Sequence, residues 1–516
     1  MAAVLLIAAA YRLPGVSWGV DIIDAPEYEH PHPDEGIACL DAMERGVAEL
    51  MNASNPAERG MMFQCVLLRT IFGAQSGIIP RARLSRTYTV FWGLASILLT
   101  ALIARRLKGD AAGLFAALLL TTSGIHLITS FWLRGQVQNV TFFLASILVA
   151  LRVRRSKEKE KAAVLLFVAA ALGGAALATR WSFALVPMLL GCAVARGPIA
   201  VRLAATVAGA LFGFFGSTGF FWTPELVRMN FEYQTHNLVM LYSRVTPFTT
   251  GAAAIVCILA GTGLVTFVFA LWYCVDRARR LRHVRRWRFA WPALRSVLDS
   301  PRAIIGVPFA ITFVLLCFNK AFDARYTDLF APACAILAGV RMAELWERLA
   351  RRWIVFAVLF AYQGVYATGM LARYTHDARN GMNAALAEVW RPRAKTFVGP
   401  YVSDSKLYRG FSVAPNEGPW DAEWFVFSDV YAGQYLTRSG TFPFLGAPPS
   451  CREILYCDGE QFRAFVQKVF ARDGWDEVYV AKAAAWTPEV KLHHALMTSK
   501  WMFTGNIRLF HRRPSP

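Results

Sequence analysis

Residues 87–109 read TYTVFWGLASILLTALIARRLKG, an uncharged apolar run over 87–104 closed by Arg105, Arg106 and Lys108. A run of roughly 20 apolar residues can cross the hydrocarbon core as a helix. Lysine and arginine clustered at its end mark the cytoplasmic side. The same pattern repeats along the chain. Further apolar segments lie near 1–11, 110–130, 137–151, 162–179, 181–195, 199–221, 249–273, 303–318, 327–343 and 353–371. Basic clusters follow at 152–161, 195–198, 276–289 (DRARRLRHVRRWRF) and 347–353. If the runs alternate across a bilayer, all of these clusters fall on one side. This predicts a mainly α, polytopic transmembrane helical bundle of about 11 spans. Its N-terminus would be cytoplasmic, in a bacterial inner or plasma membrane.

Composition agrees. The 516 residues are 56% hydrophobic and 17% charged, against about 25% charged in a soluble domain. The net charge of +20 is spread in clumps between apolar runs, which suits anionic membrane lipids and not nucleic acid. There is no zinc-type spacing, Walker loop or dinucleotide fingerprint. The first segment, from Met1, is about half a span; it reads as a late start site or as a signal-peptide remnant without a basic leader. From about 375 onward the character changes. Trp/Phe/Tyr alternation in 421–436, strand-like runs at 477–481 and 506–510, and an amphipathic run at 460–474 predict a small α/β domain on the external face. The domain division is therefore 1–374 and 375–516.

On this topology the 12–86 segment is an external loop, with helix-like runs at 36–53 and 60–72. It contains YEHPHPDEGI at 28–37. Read locally, Asp34 and Glu35 behind Pro33 are a helix start, with acids facing the positive end of the helix dipole. Cys39 and Cys65 lie in the same loop, and Cys451 and Cys457 in the tail. Each pair is open to a disulfide in an external compartment.

Several patterns in order along the chain resemble the GT-C superfamily of membrane glycosyltransferases, which includes protein O-mannosyltransferases and the lipid A aminoarabinose transferase. They are YRLPG at the end of the first segment, HPDE in the first external loop, and TSGIHLITSFWLRGQVQNVTFFLASI (122–147). LGGAALATRWSFALVPMLL (172–190), ARYTDLFAPACAILAG (324–339) and DARNGMNAALAEVW (377–390) complete the set. Many members carry an acid after the arginine of the 122–147 segment, where this chain has Gln136 and Gln138. The resemblance implies transfer of a sugar from a polyprenyl-phosphate donor to a protein, lipid or glycan acceptor on the external face. No cofactor is required by it, and a divalent metal is left open, since some members use one and others do not.

The residue chemistry fits independently. A lipid phosphate leaves without a general acid but needs cations to hold its oxygens. The acceptor hydroxyl needs one base. Asp34 is the candidate base, with Glu35, about 100° away on a helix, in support. His32 would orient Asp34 or touch the sugar, or is an exposed loop histidine. Arg134, Arg180, Lys320 and Arg325 lie at external span ends, where cations snorkel unless they hold a ligand. Tyr326 accompanies Arg325 in the family-like RY pair. The 222–248 segment reads mostly as a helix on the membrane surface. The rival is a transporter or flippase of lipid-linked sugars, which would show paired halves and broken or ionisable helices at mid-membrane. The sequence instead puts its ionisable residues at span ends. A membrane scaffold would leave HPDE and the external cations without a reason.

Overall fold

The computed structural model describes residues 1–19, 39–51, 59–179, 189, 191–193, 195, 197–230, 232, 247–282, 301–317, 324–389, 395–398, 420–429, 459–490 and 506–514. The chain divides into two compact units. The first comprises Met1–Val16, Pro33–Lys320 and Arg325–Ala367; the second comprises Ser17–His32, Ala321–Ala324 and Thr368–Pro516.

The first unit is helical. Its elements are α1 (Ala2–Arg12), α2 (Asp41–Arg45), α3 (Val47–Leu50), α4 (Arg59–Phe72), α5 (Ile78–Lys108), α6 (Asp110–Thr121), α7 (Gly124–Thr129), α8 (Gln136–Val153), α9 (Lys159–Thr179), α10 (Ile199–Gly216), α11 (Pro247–Thr262), α12 (Leu264–Arg282), α13 (Pro301–Cys317), α14 (Phe330–Trp346) and α15 (Arg352–Thr375). Helix α15 continues from the first unit into the second. Among the described residues six stretches are long and apolar enough to cross a membrane: α5, α8, α9, α10, α14 with the turn before it, and α15 continued toward Glu388.

Packing in this unit is inverted relative to a soluble bundle. On α10 the small residues Gly209 and Gly213 are buried, while Val207, Leu211 and Phe212 are exposed. A Cβ on Gly213 would overlap the Ala171 carbonyl of α9, so only glycine lets these backbones meet. Small residues inward and large apolar residues outward are what helix association in lipid requires.

Three of the expected helical runs are interrupted. The 36–53 run breaks at Gly46, with φ +66°, between α2 and α3. The 110–130 segment breaks at Thr122–Ser123, between α6 and α7. The 249–273 segment breaks at Gly263, whose φ of +86° suits glycine. Breaking a helix frees backbone carbonyls that must find donors. Here Gln363 Nε2 donates to the Thr262 carbonyl at 2.8 Å and the Thr122 carbonyl at 3.5 Å. Ser123 Oγ donates to the Gly261 carbonyl at 3.2 Å, and the Tyr366 hydroxyl to the Ala260 carbonyl at 2.7 Å. The two breaks therefore meet, capped by α15.

The basic clusters gather at one end of this unit. Lys108 pairs with Glu347 at 3.2 Å, Arg277 with Glu344 at 3.8 Å, and Arg341 with Asp276 at 3.9 Å. A small cleft there is lined by Arg106, Arg154 and Arg155. Gly197 faces Lys159 across the 195–198 turn. Five stretches far apart in sequence thus share one end.

The 12–86 segment carries a disulfide between Cys39 and Cys65, 26 residues apart. Closing a loop of that length is worth about 3.5 kcal/mol in chain-entropy terms. Cys451 and Cys457 lie outside the described residues.

The second unit holds α16 (Ala378–Val389), β1 (Thr396–Val398), β2 (Trp424–Ser428), α17 (Gly459–Phe470), β3 (Trp475–Ala481) and β4 (Ile507–Arg512). The strands form one sheet in the order β1-β2-β4-β3, with β1 parallel to β2 and the other pairs antiparallel. Alternation along the strands sends side chains to opposite faces. Phe397, Phe425, Phe427 and Phe510 pack with Phe462, Val466 and Val469 of α17. Val426, Ile507 and Leu509 pack with Ala378, Met382 and Leu386 of α16. The expected strands at 477–481 and 506–510 and the helix at 460–474 are present. Arg508, on the inner strand β4, pairs with Asp429 just past β2 and with Glu477 of β3. These bonds, the Asp429 one first, push its guanidinium pKa above the ordinary arginine value.

Candidate active site

Of the residues named from sequence, His32, Asp34, Glu35, Arg180 and Lys320 lie outside the described residues. Arg325 and Tyr326 are placed as backbone, in a 3-10 helix spanning Ala324–Leu329. Arg134 is half-buried in the turn between α7 and α8.

The structure nevertheless brings together the backbone segments carrying Arg134, Arg325 and Tyr326, next to the end of α9. Thr129, at the end of α7, donates to Asp328 Oδ2 at 2.8 Å. That bond seats the 3-10 helix of Arg325 and Tyr326 on the chain running into Arg134. Gly135 in turn lies against Thr179, where an added Cβ would come within 2.5 Å of the Thr179 carbonyl oxygen. Thr179 is the residue before Arg180 in sequence. On the neighbouring side, Arg59 of α4 donates to the Phe221 carbonyl at 2.9 Å and lies 4.8 Å from the Trp222 ring centre.

Beneath these segments is a buried polar junction that the sequence reading did not single out. Arg12, wholly buried, ends α1. Its Nε donates to Ser130 Oγ at 3.1 Å. One terminal nitrogen reaches the carbonyls of Ala8 and Thr121, at 3.1 and 3.2 Å. The other reaches the Leu120 carbonyl at 3.5 Å and His126 Nδ1 at 2.8 Å. All five N–H groups of a guanidinium are thereby engaged. Since Arg12 only donates, His126 Nδ1 must accept, and the neutral ring then donates from Nε2 to Ser96 Oγ, 2.6 Å away. His126, inside the 110–130 segment, departs from the expectation that ionisable residues sit at span ends; Arg12 and Asp328 stand at segment ends but are buried like it. Arg12 takes two of its partners from carbonyls freed at the α6–α7 break, His126 is held between Arg12 and Ser96, and Asp328 accepts from Thr129. The signal was present in the sequence: an ionisable residue inside or ending an apolar run is by default a candidate for function.

The start of α8 is also polar. Gln136 is 5% exposed, and neither atom of its amide has a hydrogen-bond partner among the described residues. Gln138 spends its Nε2 on Met61 Sδ at 3.2 Å. Neutral amides offer both donors and acceptors, as a sugar hydroxyl requires. Among the described residues no group of three or more His, Cys, Asp or Glu side chains could hold a metal ion.

No protein-family model matches the chain, and no curated protein matches it. Solved structures do resemble it. ArnT from Cupriavidus metallidurans, in the apo state, is 15% identical with a TM-score of 0.47, covering 83% of this chain and 93% of that one. The same protein bound to undecaprenyl phosphate is 14% identical with a TM-score of 0.47, covering 83% and 92%. The archaeal oligosaccharyltransferase AglB from Archaeoglobus fulgidus, in complex with an inhibitory peptide and a dolichol-phosphate, is 12% identical with a TM-score of 0.47, covering 99% and 88%. Both are GT-C superfamily proteins.

Proposed function

We propose that this chain is an integral-membrane, inverting glycosyltransferase that moves a sugar from a polyprenyl-phosphate donor to a protein, lipid or glycan acceptor on the extracytoplasmic face. The observation that carries this reading is the convergence around the Thr129–Asp328 bond. It joins the segments of Arg134 and Arg325, while Gly135 meets the end of α9 that leads to Arg180. Segments from separate spans that each carry or lead to a cation, brought side by side, support a phosphate site over independent snorkelling.

In this reading Asp34 takes the proton from the acceptor hydroxyl, whose oxygen attacks the anomeric carbon. The bond from that carbon to the phosphate oxygen breaks, and its electron pair leaves with the polyprenyl phosphate. Arg134, Arg180, Lys320 and Arg325 hold the phosphate oxygens. Glu35, His32 and Tyr326 position the sugars.

The topology belongs to the same proposal: about 11 crossings, with the basic end and N-terminus cytoplasmic, in a bacterial inner or plasma membrane. The catalytic module is 1–374 and the external domain 375–516. The meeting of two helix breaks is the feature a transporter would use. Here the chain's own side chains cap the freed carbonyls of Ala260, Gly261, Thr262 and Thr122, which leaves a cargo few groups to bind.

The test is Asp34→Asn in the full chain, reconstituted in liposomes with a labelled polyprenyl-phosphate sugar. Loss of a general base should lower kcat by about 10²–10⁴-fold, with the size-exclusion profile and unfolding midpoint unchanged. Full activity in the variant would reduce Asp34 to a helix-start residue.

A further inference from the structure

At one end of the sheet in the second unit, Ala481 of β3 pairs with Ile507 of β4. Past that rung the Ala483 N–H donates to Asn506 Oδ1 at 2.9 Å, which holds the chain leaving β3 beside the start of β4. Ile507 and Leu509 pack on α16 and Phe510 on α17, so alternation turns Arg508 to the α17 side. Helix α17 ends at Phe470, whose ring centre lies 6.0 Å from the Arg508 guanidinium carbon.

Beside these residues is a cavity of about 440 Å³, lined by Val480, Lys482, Ala483, Ala485, Asn506 and Arg508. Small-molecule sites occupy roughly 300–1,000 Å³, so the space suits a ligand larger than a bare ion. Valine and alanine walls are short and apolar. What enters is therefore decided by the polar side chains.

The carboxylates here are already spent. Asp429 accepts from Arg508 Nε at 2.5 Å, from Arg508 Nη2 at 3.1 Å and from Asn506 Nδ2 at 3.0 Å. Glu477, which also lines the cavity, accepts from Arg508 Nη1 at 2.5 Å and from Arg472 Nη2 at 3.0 Å. Two of the five guanidinium N–H groups of Arg508 and one amide N–H of Asn506 are left without an acceptor among the described residues. So is the ammonium of Lys482, an exposed residue with no ion pair among them. Asp429 and Glu477 balance Arg472 and Arg508, and Lys482 leaves this set with positive charge in excess. Spare donors around excess positive charge select an oxyanion, and a lysine ammonium binds phosphate as a point charge.

The cavity wall runs straight into a residue placed at a lipid boundary. Trp486 follows Ala485 and is 59% exposed. A Cβ on Gly369 would stand 3.4 Å from Trp486 Cβ and 3.6 Å from Val490 Cγ2, so this segment packs on α15. Helix α15 belongs to a stretch long and apolar enough to cross a membrane, and it ends at Thr375. At 1.5 Å of rise per residue, Gly369 lies roughly 9 Å inside that end. An exposed tryptophan at such a depth belongs to the interfacial aromatic belt.

We propose that this cavity is a headgroup site for an anionic membrane lipid. Lys482, Asn506 and Arg508 donate to the lipid phosphate, and Trp486 rests in the interface beside it. The net charge of the headgroup is answered by Lys482, the cation that has no carboxylate of its own. No bond is made or broken, and the site holds its domain to the membrane surface. It stands whether or not the chain transfers sugar.

The test uses the full chain in phosphatidylcholine nanodiscs with and without phosphatidylglycerol. It reads the rate of amine acylation at Lys482 by peptide mapping, with exposed Lys468 of α17 as the internal reference. Phosphatidylglycerol should slow Lys482 by about fivefold relative to Lys468, the order of one lysine's attraction to an anionic lipid. Trp486→Ala should weaken that protection. In native mass spectrometry Lys482→Gln should lose a phosphatidylglycerol molecule that the wild type and Lys482→Arg retain. Glycerol phosphate, added to nanodiscs of phosphatidylcholine alone, separates the two sources of phosphate. If it protects Lys482 as well as phosphatidylglycerol does, the cavity takes a soluble phosphate and the lipid assignment is overturned. An equal rate at Lys482 with and without phosphatidylglycerol overturns it as well. None of these readouts depends on sugar transfer, so an inactive Asp34→Asn variant leaves them unchanged.

Discussion

Two regions of this chain, the basic end with its charges near the surface and the interior junction with its charge taken inside, keep their charges by different means. At the basic end, Lys108, Arg277 and Arg341 from three separate stretches pair with carboxylates, as in Lys108–Glu347, whose side chains are 36% and 60% exposed. Solvent screens these pairs, and their number matters more than any one of them. At the interior junction a single guanidinium, Arg12, is wholly buried and has a partner for each donor. Two of its five partners, the Leu120 and Thr121 carbonyls, are released where α6 stops. The lesson is that charge count describes the first region, whereas hydrogen-bond accounting describes the second.

Substitutions can break that contrast. Arg12→Met should have the largest effect, since it strips donors from several buried acceptors at once. With about 1–3 kcal/mol for each buried group left unsatisfied, the expected loss is at least about 3 kcal/mol. It would be read as a lowered unfolding midpoint in detergent. A loss below 1 kcal/mol, on the same scale as a surface pair, would sink the contrast. Gln363→Leu comes next. It removes the cap from the Thr262 and Thr122 carbonyls at matched volume and should cost about 2 kcal/mol; hydrogen exchange at residues 260–266 would rise if the cap is the stabilising element. Lys108→Ala should cost less than about 0.5 kcal/mol, and the cost should vanish in high salt. A large, salt-insensitive loss there would mean that the basic end is also held by specific bonds.

The membrane-spanning character of the chain was legible from residues 87–109 outward, because lipid imposes a length and a polarity that no soluble fold matches. The strands at 475–481 and 507–512 were legible too, from alternation that the sheet then uses on both faces. The helix breaks were not. Thr122–Ser123 and Gly263 sit inside runs whose hydropathy is continuous, and hydropathy carries no information about φ. The sequence also offered Arg134 and Arg325 as separate cations at separate span ends. That the backbone segments carrying them meet depends on Thr129 reaching Asp328, 199 residues later.

What the sequence determined by itself was the solvent for each segment: which stretches suit lipid and which carry the basic clusters. These are one-dimensional properties, set by the transfer energies of side chains one after another. Only the tertiary structure decided which buried polar groups answer one another. It chose Arg12 for the carbonyls at the end of α6, Gln363 for those beside Gly263, and Cys65 for Cys39. Each of those pairings joins residues remote in sequence, and in a low-dielectric interior a polar group without its partner is too costly to keep.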